Sequence, residues 1–205
     1  MSLNLVLTIP RTHEIFTWFR HKQIFLPETE TAMLPEELVG SSTARPKEGL
    51  LVSPAFFQVW PSAILVRGAK FYTYWNQDDT CHLWIGNNMY PSDLAYGNES
   101  VRHALHRNMR DMMHPFSYKQ EYLLGYACSQ NDTEQNMFGI LYVLCVSRAT
   151  LIKNQYIHTR WLSITDLKKV YRKLDPWSKR IFDYIYEHPS LRKQFDLYEK
   201  ERKNQ

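Results

Sequence analysis

The stretch Trp84–Met113, WIGNNMYPSDLAYGNESVRHALHRNMRDMM, decides how the rest of the chain is read. It opens on an apolar-flanked turn at Gly86 and passes through a Pro91-Ser92-Asp93 loop. It closes in a helical pattern, with Val101, Leu105, Met109 and Met112 on one stripe and Glu99, Arg107 and Asp111 among the polar positions. Pro115 ends that helix, because its ring removes a backbone donor and clashes with the preceding turn.

Strands are expected on both sides. Upstream, Asn4–Ile9 is a short β-like run ended by Pro10, and LPEEL at 34–38 starts a helical turn with Pro at its first position. The apolar run Ser62–Val66 and the alternating KFYTYW at 70–75 read as a hairpin turning at Arg67-Gly68-Ala69, followed by a short strand over His82–Ile85. Downstream, Glu121–Cys128 and Phe138–Val146 read as strands joined by a turn over 129–135, and His158–Leu162 as an edge strand. Ser163 or Thr165 caps a helix, and Asp175-Pro176-Trp177-Ser178 starts another with Trp177, Ile181, Tyr184 and Ile185 on its stripe. Strands, one central helix, more strands and C-terminal helices make a mixed α/β or α+β layer fold.

With 205 residues, 44% apolar and 14% aromatic, the chain has enough apolar surface for a full core. No window approaches a membrane-spanning run, and the first residues lack a basic segment of the secretory kind. Cys81, Cys128 and Cys145 form no CxxC pair, which fits a reducing cytoplasm and gives no zinc site. The net charge of +4 is uneven: residues 151–205 hold 13 Lys/Arg against 7 Asp/Glu. A solvated helical face is the plainer account of that excess; contact with nucleic acid or an acidic partner is the other. Neither nucleic acid nor a membrane is expected as a partner.

The order of these pieces resembles the Nudix hydrolases. Their motif runs Gly, five residues, Glu, seven residues, Arg-Glu, an apolar residue, any residue, Glu-Glu. Here Glu99 stands eight before Arg107, the spacing of the first Glu and the Arg. Within the superfamily the chain is similar to a bacterial phosphoesterase branch with a Gly-Gly-His loop ending in Asp. Gly86 to Asp93 fills that slot, with Asn88 where the His would be. Arg45-Pro46, Glu48, Gln58, Phe138-Gly139-Ile140 and Asp175 to Lys179 also fall where that branch has similar residues. The resemblance implies a Nudix-like α/β/α sandwich with a mixed sheet over residues 45–187. An N-terminal strand and extension over 1–44 would pack on it, and a basic helical tail would follow over 188–205.

The resemblance also implies a metal site, and here the chain departs from it. The Glu after the Arg is Asn108, and the Glu-Glu pair is Asp111-Met112. In the family these carboxylates hold Mg²⁺, a hard cation that wants oxygen ligands and activates water. Positions 108, 111 and 112 are expected on one helix face. Asp111 with Glu99 is left as the catalytic or metal-binding pair, and Asn108 offers one neutral oxygen.

The expected function is therefore a Nudix-fold protein with a degenerate catalytic box. It would bind a nucleotide-like or phosphorylated small molecule, or a partner, without efficient hydrolysis. Gly86, Asn88, Arg107, Asn108, Arg45, Trp75 and Trp84 are the expected ligand-binding residues. Arg107 is expected to pair with Glu99 or a loop carbonyl, and Trp60, Tyr72, Tyr74, Trp75 and Trp84 to stack on a flat ligand or fill the core. His103 and His106 read as hydrogen-bonded or solvated histidines. One alternative is an active Mg²⁺-dependent phosphohydrolase on a nucleoside diphosphate derivative, with Glu121 or Glu134 as a further carboxylate. The other is an interaction module with a vestigial pocket, its contact surface the basic C-terminal helices.

Overall fold

Gly68 and Ala69, both at positive φ (52° and 63°), form the turn between the strands Phe56–Arg67 and Lys70–Trp75. Two consecutive left-handed residues match the twist of the flanking strands, and Gly68 takes that conformation without a Cβ penalty. The computed structural model describes residues 4–19, 25–50, 53, 55–128, 136–151 and 158–195. The expected turn over 129–135 lies outside the described residues, as does Glu134.

In chain order the strands are β1 (Leu5–Pro10), β2 (Phe25–Pro27), β3 (Thr43–Pro46), β4 (Phe56–Arg67), β5 (Lys70–Trp75), β6 (Cys81–His82), β7 (Trp84–Gly86), β8 (Met113–Cys128), β9 (Met137–Leu151) and β10 (His158–Ser163). The helices are α1 (Ile15–Trp18), α2 (Pro35–Gly40), α3 (Ser100–Met112), α4 (Ile164–Lys169), α5 (Pro176–Glu187) and α6 (Pro189–Gln194), with a 3₁₀ segment at Pro91–Glu99. The strand order is β10-β5-β4-β9-β8-β2. This is the mixed α+β architecture expected.

The chain divides into two compact units, and β4, β8 and β9 each contribute to both. The first comprises Met1–Ala63, Ile85–Met112 and Leu123–Tyr142. Within it β1 pairs with β3 (Val6 opposite Arg45) and with β4 (Thr8 opposite Gln58), while β2 pairs with β8. Its core includes Val6, Leu7, Ile9, Leu26, Tyr126, Phe138 and Ile140, with Phe16 set between Phe57 and Phe138. Helix α3 belongs here and buries Val101, Ala104, Leu105, Met109 and Met112, the stripe that its spacing required. It ends at Met112, and Pro115 lies in the strand beyond.

The second unit comprises Ile64–Trp84, Met113–Tyr122 and Val143–Gln205. Its strand β10 pairs along the whole of β5, from His158 opposite Trp75 to Ser163 opposite Lys70. Ser163 caps α4 by accepting from the Asp166 amide at 3.1 Å. Asp175 caps α5 by accepting from the amides of Trp177 (3.0 Å) and Ser178 (3.2 Å). The buried face of α5 carries Trp177, Ile181, Phe182 and Ile185. Phe182 thus takes the place expected for Tyr184, which is half-buried, because the centre of the stripe lies nearer Ser178 than the spacing alone suggested.

Burial pushes the thiols of Cys81 and Cys128 from 9.0 up to about 12, Asp175 adding to the effect at Cys81. The folded chain therefore holds these protons more tightly than the unfolded chain. Their contribution to stability is complete below pH 9 and is lost as pH climbs toward 12. At pH 8 a thiol-reactive dye is expected to label the half-buried Cys145 first, leaving Cys81 and Cys128 for the denatured protein. Peptide mapping of the labelled sites checks this.

Candidate functional site

The segment after β7 enters the first unit's sheet as an extra rung. The Leu7 amide donates to the Met89 carbonyl and the Met89 amide to the Val59 carbonyl, both at 2.9 Å. Residues 87–89 are thereby wedged between β1 and β4. Asn88, fully buried, donates from Nδ2 to Oε1 of buried Gln58 at 2.7 Å, while its own Oδ1 has no partner among the described residues. Gly86 packs against β4 at Pro61-Ser62. A Cβ there would stand 2.0 Å from Ser62 Oγ and 2.9 Å from the Pro61 carbonyl. Gly86 is a packing glycine.

Arg107 reaches back from α3 to this segment. It donates to the Asn88 carbonyl at 3.0 Å, pairs with Asp93 Oδ2 at 3.1 Å, and lies over the Tyr90 ring at 4.4 Å from its centroid. Asp93 is only 1% exposed. Its carboxylate also accepts from the Tyr90 amide at 2.8 Å and meets Nδ1 of His103 at 3.2 Å. His103 in turn stacks on Tyr96, with ring centroids 3.5 Å apart. The expectation that Arg107 shapes the loop through a backbone carbonyl holds. The pairing with Glu99 does not: Glu99 is exposed and lies 3.6 Å from Arg102. The carboxylate that holds Arg107 is Asp93, the third residue of the 3₁₀ segment, which faces inward while Glu99 ends that segment on the outside.

The other predicted residues fall as follows. Asn108 is buried, and its Nδ2 donates to the Asn87 carbonyl at 3.0 Å and the Pro61 carbonyl at 3.3 Å. Its Oδ1, the oxygen that would face a cation, accepts from Arg107 at 3.2 Å. Asp111 is exposed, whereas Met112 is 8% exposed and continues the core stripe. Positions 108, 111 and 112 therefore do not share one face. The buried stripe takes 108 and 112, and Asp111, one position off it, points outward. Arg45 on β3 lies over the Phe56 ring at 3.6 Å, its Nε buried without a hydrogen-bond partner among the described residues. Trp75 and Trp84 belong to the second unit and are built into it. Trp75 stacks on His158 at 4.6 Å, and Trp84 donates from Nε1 to Asp175 at 3.3 Å and packs on Trp177. Core filling, one of the two readings of these aromatics, accounts for both.

A divalent cation needs several oxygen donors converging. Among the described residues no group of three His, Cys, Asp or Glu side chains comes together in that way. Asn108 and Asp93 spend their oxygens on Arg107, His103 and an amide, and Asp111 is exposed on the surface. Asn108, Asp111 and Met112 bring no converging set of oxygen donors together among the described residues.

Asp93 and Gln58 are the residues whose roles a sequence reading passes over. A Pro-x-Asp start to a helical turn was the available signal for Asp93, since an acidic third residue accepts from the amide before the Pro.

No family model matches the chain, and no curated protein matches it by sequence. The fold does have relatives among solved structures. Tm1382, a Nudix hydrolase candidate, superposes with a TM-score of 0.71 over 95% of this chain and 100% of its own, at 16% identity. A Nudix hydrolase from Nitrosomonas europaea matches 64% of this chain and 89% of its own, with a TM-score of 0.50 and 12% identity. No helix among the described residues is long and apolar enough to cross a membrane. With a solved structure matched along its whole length, the chain has the Nudix fold.

Proposed function

We propose that this protein binds a nucleotide-like or otherwise phosphorylated small molecule without efficient metal-dependent hydrolysis. The observation that carries the reading is the state of α3. Where the motif would present carboxylates to a cation, Asn108 is consumed by hydrogen bonds, Met112 is buried and Asp111 points to solvent. Metal-assisted phosphate hydrolysis needs the cation both to neutralise charge and to generate the nucleophile, so losing its ligands removes both contributions.

Support for a phosphorylated ligand comes from Arg45, whose half-buried guanidinium is centred 3.6 Å over the Phe56 ring. A guanidinium fixed by stacking loses little freedom on accepting a phosphate, and its fork matches two phosphate oxygens. The test combines turnover with binding. Nucleoside diphosphate derivatives, with Mg²⁺ or Mn²⁺, are expected to yield no phosphate above the buffer rate while at least one raises the melting temperature. Arg45→Ala is expected to weaken that binding by about tenfold, the worth of one charge-assisted contact. Turnover abolished by Asp111→Ala would overturn the reading.

A further inference from the structure

Four large apolar side chains of the described residues are exposed, and three belong to neighbouring pieces of the first unit. Leu34 (57% exposed) precedes α2, while Leu94 (41%) and Tyr96 (53%) lie on the 3₁₀ segment against which α2 packs. Single exposed apolar residues are ordinary, but several on adjacent elements mark an interaction surface. The segments that carry these three side chains lean to one sign, although α3 beside them adds Arg102 and Arg110. Residues 25–44 and 86–101 contribute Glu28, Glu30, Glu36, Glu37 and Glu99 at or near the surface and contain no Lys or Arg. Arg102, on the first turn of α3, lies 3.6 Å from Glu99.

The fourth exposed side chain, Tyr186 (39%), sits on α5 in the opposite electrostatic setting. Lys168 of α4 donates to its hydroxyl at 2.7 Å and lies 4.0 Å from its ring centroid, and Arg192 of α6 lies 5.4 Å from that centroid. Lys179, seven residues earlier on α5, shares its stripe. Over 164–194 the chain has eight Lys/Arg against four Asp/Glu, of which Asp175 is buried as a helix cap. The Lys168 hydrogen bond also draws the Tyr186 hydroxyl below its ordinary pKa, as expected where cations crowd a phenol.

We infer that a second copy of this chain docks here, its cation-flanked Tyr186 face seated on the carboxylate-rimmed patch of Leu34, Leu94 and Tyr96. One chain supplies both complements, an apolar centre ringed by carboxylates and an exposed ring ringed by cations. Opposite potentials around apolar centres steer and register such a contact. Because the two patches differ, the contact is heterologous, and each copy offers one of each kind.

Sedimentation equilibrium over a concentration series tests this. Wild-type protein is expected to gain average mass with concentration, less so at high salt, because the rim charges are screened. Two variants sharpen the test: Glu30→Lys with Glu36→Lys, and Lys168→Glu with Arg192→Glu. Each alone is expected to associate at least about tenfold more weakly, since the substituted side chains then face charges of their own sign. Mixed together they are expected to recover, because each repaired contact again joins opposite charges. Circular dichroism melts confirm that both variants fold. A wild type that stays monomeric throughout would overturn the inference. So would a wild type that associates while the mixture does not, because the contact would then lie elsewhere.

Discussion

Asp93→Ala is expected to destabilise the protein by about 3–5 kcal/mol, the cost of breaking a buried ion pair by removing one partner. The carboxylate is 1% exposed and serves three donors at once: Arg107, His103 and the Tyr90 amide. Truncation leaves a guanidinium facing Tyr90 with only carbonyl acceptors, one of them Asn88. It also leaves the amide at the start of the 3₁₀ segment without its acceptor. Asp93→Asn keeps the shape and one acceptor oxygen, so it is expected to cost about half as much. Removing Arg107 as well should cost less than the two single losses combined, because the second truncation relieves the orphan made by the first. Urea unfolding of the four proteins measures this directly. A loss below about 1 kcal/mol for Asp93→Ala would place the pair among hydrated surface bridges.

Gly86→Ala is expected to cost about 3 kcal/mol, the upper part of the range for overpacking a filled interior. The added methyl would meet Ser62 Oγ at 2.0 Å, Ser62 Cβ at 2.8 Å and the Pro61 carbonyl at 2.9 Å. Ser62 is fully buried and donates to the Trp60 carbonyl at 3.1 Å, so it has nowhere to swing. Ser62→Gly in the same chain removes two of the three contacts and is expected to restore part of the stability. The carbonyl contact remains, so recovery should be incomplete. Thermal melts of the single and double variants check the pair. An equal loss in both would mean that Gly86 matters for its backbone and not for this approach.

These two positions show how far the residues alone could be read. Gly86 and the Pro-Ser-Asp loop stood out in the sequence, and the stripe Val101, Leu105, Met109 and Met112 located the buried face of α3. The side of that helix on which Asp111 lies followed from the same periodicity but was read wrongly. The stripe is centred on Asn108 and Met112, which turns position 111 to solvent. A shift of one residue is about 100° on a helix, and that decides between a metal face and a surface carboxylate.

Period and punctuation, which act over a few residues, made the strands, the Gly68 turn, the caps at Ser163 and Asp175 and the central helix legible in the sequence. Tertiary structure decided the partners. Arg107 could reach Glu99, Asp93 or a carbonyl equally well on paper. Only the wedging of residues 87–89 between β1 and β4 sets Asn88 and Asp93 beneath its guanidinium. The aromatic strands were equally open: Trp75 and Trp84 could have faced a ligand, but His158, Asp175 and Trp177, each far along the chain, cover them. Local propensity reaches three or four residues, whereas a buried charge is held by whichever group the fold brings within 3 Å or so. For this protein the sequence determined the scaffold of the Nudix loop and helix, and long-range packing determined that its polar groups bind one another.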